Sequence, residues 1–206
     1  MSSGEDRLYS ALEAALKPPW ALYRNVAWLA KRPGTEPADG EADVVLAHPD
    51  LGVMVIEVKG GRVQRIGGRW ESIDRNGMAN PIKDPFAQAA NNMHRLKRVC
   101  GDLPAWPARD VRFARAIAFP DAAYDRGMTP DGPRETVIDH DDLDRIGERI
   151  GQVFDWWSAS GDASAGGGAP GAALQLPPVA AGRPPAGQRA AAAGPEAGRA
   201  HRHLVA

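Results

Sequence analysis

An α/β fold, with a mixed central sheet flanked by helices, is predicted for residues 1–157, and three observations predict it. Leu8, Leu12 and Leu16 recur at helical spacing close to the start of the chain. Two apolar runs, 40–46 and 53–59, flank a Pro49-Asp50-Leu51-Gly52 turn and read as neighbouring strands. Further on, Asp84-Pro85 opens a second helix, 111–119 reads as a strand, and Leu143, Ile146, Ile150, Val153 and Trp157 form the apolar stripe of a last helix.

Each element has its own local reason. Ser3 and Asp6 fit a capping box for the first helix, which ends before Pro18-Pro19. Glu5 lies on the apolar side of that helix, one turn before Leu8. Residues 20–29 read as a strand, followed by a loop through Pro33, Gly34 and Pro37. After the two apolar strands, 62–66 and 69–73 flank Gly67-Gly68 as a hairpin, and Arg75-Asn76-Gly77 supplies turn chemistry. In the second helix Asp84 is the N-cap and Pro85 the first helical residue. Phe86, Ala89, Met93, Leu96 and Cys100 form its buried side, and Gly101 stops it. Pro120 ends the strand over 111–119, residues 135–138 form a short one, and Asp139 or His140 caps the final helix. Of the adjacent Trp156 and Trp157, one ring belongs in the core and the other at an edge. No internal repeat is present.

Composition changes at Ser158. Residues 158–206 are dominated by Ala, Gly and Pro, lack aromatics, and cannot bury enough apolar surface to offset the entropy of ordering, so a disordered C-terminal tail is predicted. Its scattered arginines read as solubilising. The whole chain has 206 residues, 25 Lys and Arg against 26 Asp and Glu, and a net charge of −1, a balance that neither requires nor excludes a nucleic-acid partner. Cys100 is the single cysteine, which rules out an intramolecular disulfide and a thiolate zinc cluster and fits a cytoplasmic protein. The polar, acidic start is no signal peptide, and no apolar run approaches the ~20 residues needed to span a bilayer.

The candidate site is an acidic-acidic-basic set. Glu57 and Lys59 sit at the end of an apolar strand and share a face, and the hairpin brings Asp43 alongside. Two carboxylates and an amine converging at a sheet edge suit a divalent cation beside an activated water. Asp43 and Glu57 supply carboxylate oxygens, and the Val58 carbonyl supplies a third. Lys59 orients or deprotonates the water, or stabilises charge in the transition state. Taken alone, a Glu-x-Lys pair also reads as a solvated same-face pair at a strand end. The preceding hairpin, Asp43 and Gly60-Gly61 favour the site.

The order helix, strand, hairpin with Asp and Glu-x-Lys, helix, strand resembles the core of the PD-(D/E)XK nuclease superfamily, a restriction-endonuclease-like fold. More closely, it resembles the nuclease-related domain, or NERD, family over residues 4–157. The stretches that carry the likeness are Gly40 to Val45, Val53 to Gly61, Gly68-Arg69-Trp70 and Asp84 to Ala89. The resemblance implies Asp43 and Glu57 as metal-binding carboxylates, Lys59 as the catalytic lysine, Glu5 as the acidic residue of the first helix, and Gln88 as the helix glutamine that holds a water or a phosphate. Glu41 lies in the matched motif and, by period two, on the face of Asp43, which makes it a secondary candidate; a solvated strand-start Glu is an equal reading. The implied cofactor is Mg²⁺ or Mn²⁺, and the implied partner is nucleic acid, DNA above all. Many relatives carry this domain fused to a DNA helicase or another partner; a Gly-x-x-x-x-Gly-Lys-Ser/Thr loop is absent here, so the resemblance implies a stand-alone version or a truncated remnant, with a helicase in trans among the partners it allows.

Two basic clusters are candidate nucleic-acid contacts. Arg95, Lys97 and Arg98 follow Asn91 and Asn92 on the second helix, where cations near a helix C-terminus are an equal explanation. Arg62, Arg65 and Arg69 lie on the small hairpin, where charge that protects a sheet edge from pairing is the simpler reading. His48, His94 and His140 have no metal-ligand spacing. Asp139, Asp141, Asp142 and Asp144 suit a helix N-terminus and lack an EF-hand pattern. The expected function is metal-dependent hydrolysis of phosphodiester bonds, in DNA processing or repair. The alternatives are a non-catalytic module that binds DNA or a partner, and a truncated remnant of a larger helicase-fused protein.

Overall fold

The computed structural model describes residues 3–30, 38–74, 76–124 and 132–160. Three helices, α1 (Ser3–Ala15), α2 (Pro85–Gly101) and α3 (Ile146–Ala159), pack on eight strands. The strands are β1 (Ala21–Ala30), β2 (Ala38–His48), β3 (Gly52–Val58), β4 (Arg62–Ile66), β5 (Arg69–Ile73), β6 (Ala79–Pro81), β7 (Phe113–Phe119) and β8 (Val137–Asp139). The central sheet runs β1-β2-β3-β7-β8 and is mixed, because β1, β2 and β3 pair antiparallel while β3, β7 and β8 pair parallel.

Alternation along β3 assigns the two faces of this sheet. Met54, Ile56 and Val58 pack with Leu8 and Leu12 of α1 and with Ile146, Ile150, Val153, Phe154 and Trp157 of α3. Val53 and Val55 pack with Met93, Leu96, Val99 and Cys100 of α2. Every residue of β3 is buried, as expected for a strand covered by helices on both faces. Cys100 lies in this core, where burial pushes its thiol up to about 12, so packing explains it.

β4, β5 and β6 form a separate antiparallel sheet. Buried Trp70 anchors it, stacking on Phe119 with ring centroids 6.1 Å apart and meeting Phe86 at the start of α2. Asp84 caps α2 through hydrogen bonds from the Phe86 and Ala87 amides, with Pro85 at the first turn. Trp157 is buried and donates its indole N–H to the Arg115 carbonyl at 2.8 Å, while Trp156 meets it edge-on and stays partly exposed.

Several local expectations shift. Asp6 pairs with Arg24, and the Ser3 side chain of the expected capping box lies outside the described residues. β6 is a third strand beyond the predicted hairpin; Asp74 supports the turn before it, accepting from the Asn76 and Met78 amides. Arg75 lies outside the described residues, as does the loop through Pro33, Gly34 and Pro37. Asp139 and Asp142 form a capping box, but the first turns that follow are a 3-10 segment, His140–Arg145, before α3 begins. The carboxylates there are held by Arg134 and Arg149, and His48 accepts amide hydrogen bonds in the turn before β3. α3 runs to Ala159, and from residue 161 the Ala/Gly/Pro-rich segment lies outside the described residues.

Candidate active site

Antiparallel pairing sets the two carboxylates against each other. The last paired residues of β2 and β3 are Val44 and Ile56, and one step further the register faces Asp43 with Glu57. Glu57 belongs to the α2 side of the sheet and is only 4 % exposed. An ion that deep needs partners for both oxygens. It has them: Lys59 Nζ lies 2.8 Å from Oε1, and Asn92 Nδ2 donates to Oε2 at 3.2 Å. Lys59 reaches Glu57 because residues two apart on a strand share a face. Its own amide continues the pairing to β7, donating to the Ala118 carbonyl at 2.9 Å.

Asp43 is held differently. Its Oδ2 accepts the Val58 amide at 2.7 Å. Since the Lys59 amide turns towards β7, the Val58 amide turns towards β2, where an unbroken ladder would offer it the Ala42 carbonyl. Asp43 thus takes a backbone position in the ladder. Burial first, and then the Glu57 carboxylate, push the Asp43 carboxyl from an ordinary 3.8 up to about 6, against the lowering effects of the Val58 amide and the Lys59 ammonium. Glu5, at the start of α1, adds to the rise, which brings it into the electrostatics of the site.

α2 supplies the remaining polar groups. Gln88 precedes Asn92 by one turn on the same face. Its Oε1 is buried and accepts no hydrogen bond among the described residues. Asn92 is the site residue that the sequence reading missed as a Glu57 partner. Its signal was the i, i+4 spacing from Gln88, which puts both amides on one face of α2. Asn91, Arg95 and Arg98 continue along the exposed side of α2 adjoining Gln88.

The other predicted residues spread outward. Glu41 is exposed, and the face it was expected to share with Asp43 is interrupted, because regular alternation fails between Ala42 and Val44. On the small sheet, Arg62 and Arg69 share the outer face with Ile66, whereas Arg65 lies opposite Trp70 on the inner face. The three arginines therefore form no single cluster.

The donor set can be tested against a cation. Among the described residues, no group of three or more His, Cys, Asp and Glu side chains is arranged to hold a metal ion. Two carboxylates do face each other, and their repulsion raises the Asp43 carboxyl. Mg²⁺ is commonly held by one or two carboxylates while keeping several waters, so a two-carboxylate set fits it.

A family model for the nuclease-related domain matches residues 2–120. No curated protein and no solved structure matched the chain. Among the described residues, no helix is long and apolar enough to cross a membrane. The matched stretch covers more than half of the chain and contains Asp43, Glu57, Lys59, Gln88 and Asn92; the chain belongs to the nuclease-related domain family.

Proposed function

We propose that this site hydrolyses phosphodiester bonds in DNA with the help of a divalent cation, Mg²⁺ or Mn²⁺. The observation that carries the reading is the convergence of Asp43, Glu57 and Lys59, with a buried glutamate partnered by a lysine and an amide from α2. Asp43 and Glu57 would hold the cation, and the Val58 carbonyl is the third proposed oxygen. When bound, the cation would lower the pKa of a water and offset charge developing on the phosphate. Lys59 stands beside Glu57, placed to orient the attacking water or to meet charge on the reacting phosphate. Gln88 would accept from that water through its unused buried Oε1 or donate to a phosphate oxygen through its amide nitrogen, and Glu5 adds negative charge at the helix start. Arg95 and Arg98 extend from this point along α2 and would follow the phosphate backbone. Arg62 on the outer face of the small sheet and half-buried Arg65 on its inner face are proposed as more distant contacts. A helicase in trans is the proposed partner, on the family resemblance alone.

A second reading, a module that holds DNA without cutting it, is favoured by one observation. Lys59 and Asn92 already occupy both Glu57 oxygens. The two readings separate in one experiment. End-labelled single-stranded, duplex and branched DNA is incubated with Mg²⁺, Mn²⁺ or EDTA. Hydrolysis predicts products that require the cation and vanish in Asp43→Ala and Glu57→Ala. Retained DNA binding with no product under any cation would instead establish the binding module.

A further inference from the structure

β1 and β2 carry a paired irregularity at the site. On β1, Ala21 and Tyr23 pack on the α2 side and Leu22 on the α1/α3 side; regular alternation would then send Val26 and Trp28 to the α1/α3 side, yet both lie on the α2 side. On β2, Val45 and Ala47 lie on the α2 side and Val44 and Leu46 on the other, yet Ala42 also lies on the α2 side. Each strand therefore reverses its pleat once. The cross-strand register shows where: pairing passes from Arg24↔Val44 to Val26↔Ala42 and omits Asn25 and Asp43. Because both strands reverse together, the register is the same before and after.

The reversal has a backbone cause. Asn25 has φ +50°, the only positive φ of a non-glycine among the described residues. A β-branched residue at that φ is strained, whereas Asn and Gly visit it readily. Residues held in sparsely populated backbone regions concentrate at functional sites, and here the outlier stands across the ladder from the Asp43 carboxylate. The consequence on β2 is the gap that Asp43 fills by accepting the Val58 amide.

We infer that Asn25 is a positioning residue for Asp43: its left-handed backbone reverses the pleat of β1 and β2 together and turns the Asp43 carboxylate into the ladder, onto the Val58 N–H. This rests on the reading of Asp43 as a cation-holding carboxylate. A regular ladder would pair Val58 with Ala42 and leave Asp43 standing off the sheet. The device accounts for an asparagine in the middle of a strand, where asparagine is otherwise disfavoured.

The test uses the full chain with Asn25→Gly, Asn25→Ala and Asn25→Val. Two readouts are followed: the backbone amide resonance of Val58 by NMR, and Mn²⁺ affinity measured without nucleic acid. Asn25→Gly should keep both. Asn25→Val should shift the Val58 resonance and weaken Mn²⁺ binding by about 10–100-fold, the range for residues that orient ligands, while still unfolding cooperatively. If Asn25→Val does not fold, Asn25→Ala carries the same comparison with a smaller side chain. Gly and Val variants that match wild type in both readouts would overturn the inference, as would loss of thermal stability in Asn25→Val with unchanged Mn²⁺ affinity. A wild type without Mn²⁺ affinity would sink the metal reading, while the Val58 comparison would still decide the positioning role.

Discussion

Asp43 is one of the two carboxylates proposed to hold the cation, and its raised carboxyl has two measurable consequences. Its folded value, about 6, lies above its ordinary 3.8, so the folded state holds this proton more tightly than the unfolded chain. The stability it contributes is complete below about pH 4 and is lost as pH rises through about 6; above that the ionised group destabilises the cation-free protein. Asp43→Asn should therefore raise the unfolding free energy at pH 7.5 in EDTA, by on the order of 1–3 kcal/mol, and the gain should disappear near pH 4. Equal effects at both pH values would contradict the assignment of the burden to this carboxylate. If Asp43 holds Mg²⁺ as proposed, the ion competes with the Asp43 proton, so metal-dependent cleavage should fall as pH drops through about 6. The sequence pointed to Asp43, Glu57 and Lys59 only through their setting: a bare Glu-x-Lys at a strand end has a bland explanation, and the preceding hairpin, Asp43 and Gly60-Gly61 outweighed it. It did not announce the left-handed backbone of Asn25, a property of pairing geometry that residue type alone permits without requiring.

α2 joins the core to the site. One side of the helix buries Met93, Leu96 and Cys100, and the adjacent face offers Gln88 and Asn92. The two amides should respond in opposite ways. Asn92→Ala leaves a buried carboxylate oxygen short of a donor and should cost about 1 kcal/mol net, the loss being partly offset by alanine's better helix propensity. Gln88→Leu removes a buried acceptor that has no partner among the described residues, so it should leave stability unchanged or raise it while lowering cleavage. Chemical denaturation alongside the cleavage assay checks both; a destabilising Gln88→Leu would mean the amide is structural. Asp84-Pro85 marked the start of this helix in the sequence because capping is local chemistry. β6 and the 3-10 turns before α3 went unread, as three-residue strands and 3-10 segments rest on tertiary pairing and leave almost no periodic signal.

At the scale of the whole molecule, the family match ends at residue 120 but the core does not. Ile138, Ile146, Ile150, Val153, Phe154 and Trp157 are buried against the face of the sheet that also receives α1. Removing them would expose that face, at roughly 1.5–3 kcal/mol for each large apolar side chain, well beyond the margin of a small domain. A chain ending at residue 120 should therefore show no cooperative unfolding, whereas one ending at residue 160 should melt with the full chain. We propose that the domain extends to the end of α3 and that the Ala/Gly/Pro-rich segment is independent of it. A full chain that melts clearly above the 160-residue form would contradict this. The α/β class was readable from the sequence because helical and strand periodicities differ so sharply; the hairpin of the small sheet was readable too, whereas its third strand and its separation from the central sheet rest on tertiary packing, including that of Trp70.

The most direct test of the central claim separates holding the cation from cutting. Wild type and Lys59→Ala would be compared for Mn²⁺ affinity in the absence of DNA and for Mg²⁺-dependent cleavage of end-labelled duplex. The lysine's proposed role is in the reaction, while Asp43 and Glu57 would hold the ion, so Lys59→Ala should bind Mn²⁺ at least as well as wild type, because a competing ion pair with Glu57 is gone, and should lose cleavage by about 10²–10⁴-fold. Cleavage at the wild-type rate in Lys59→Ala would contradict the account.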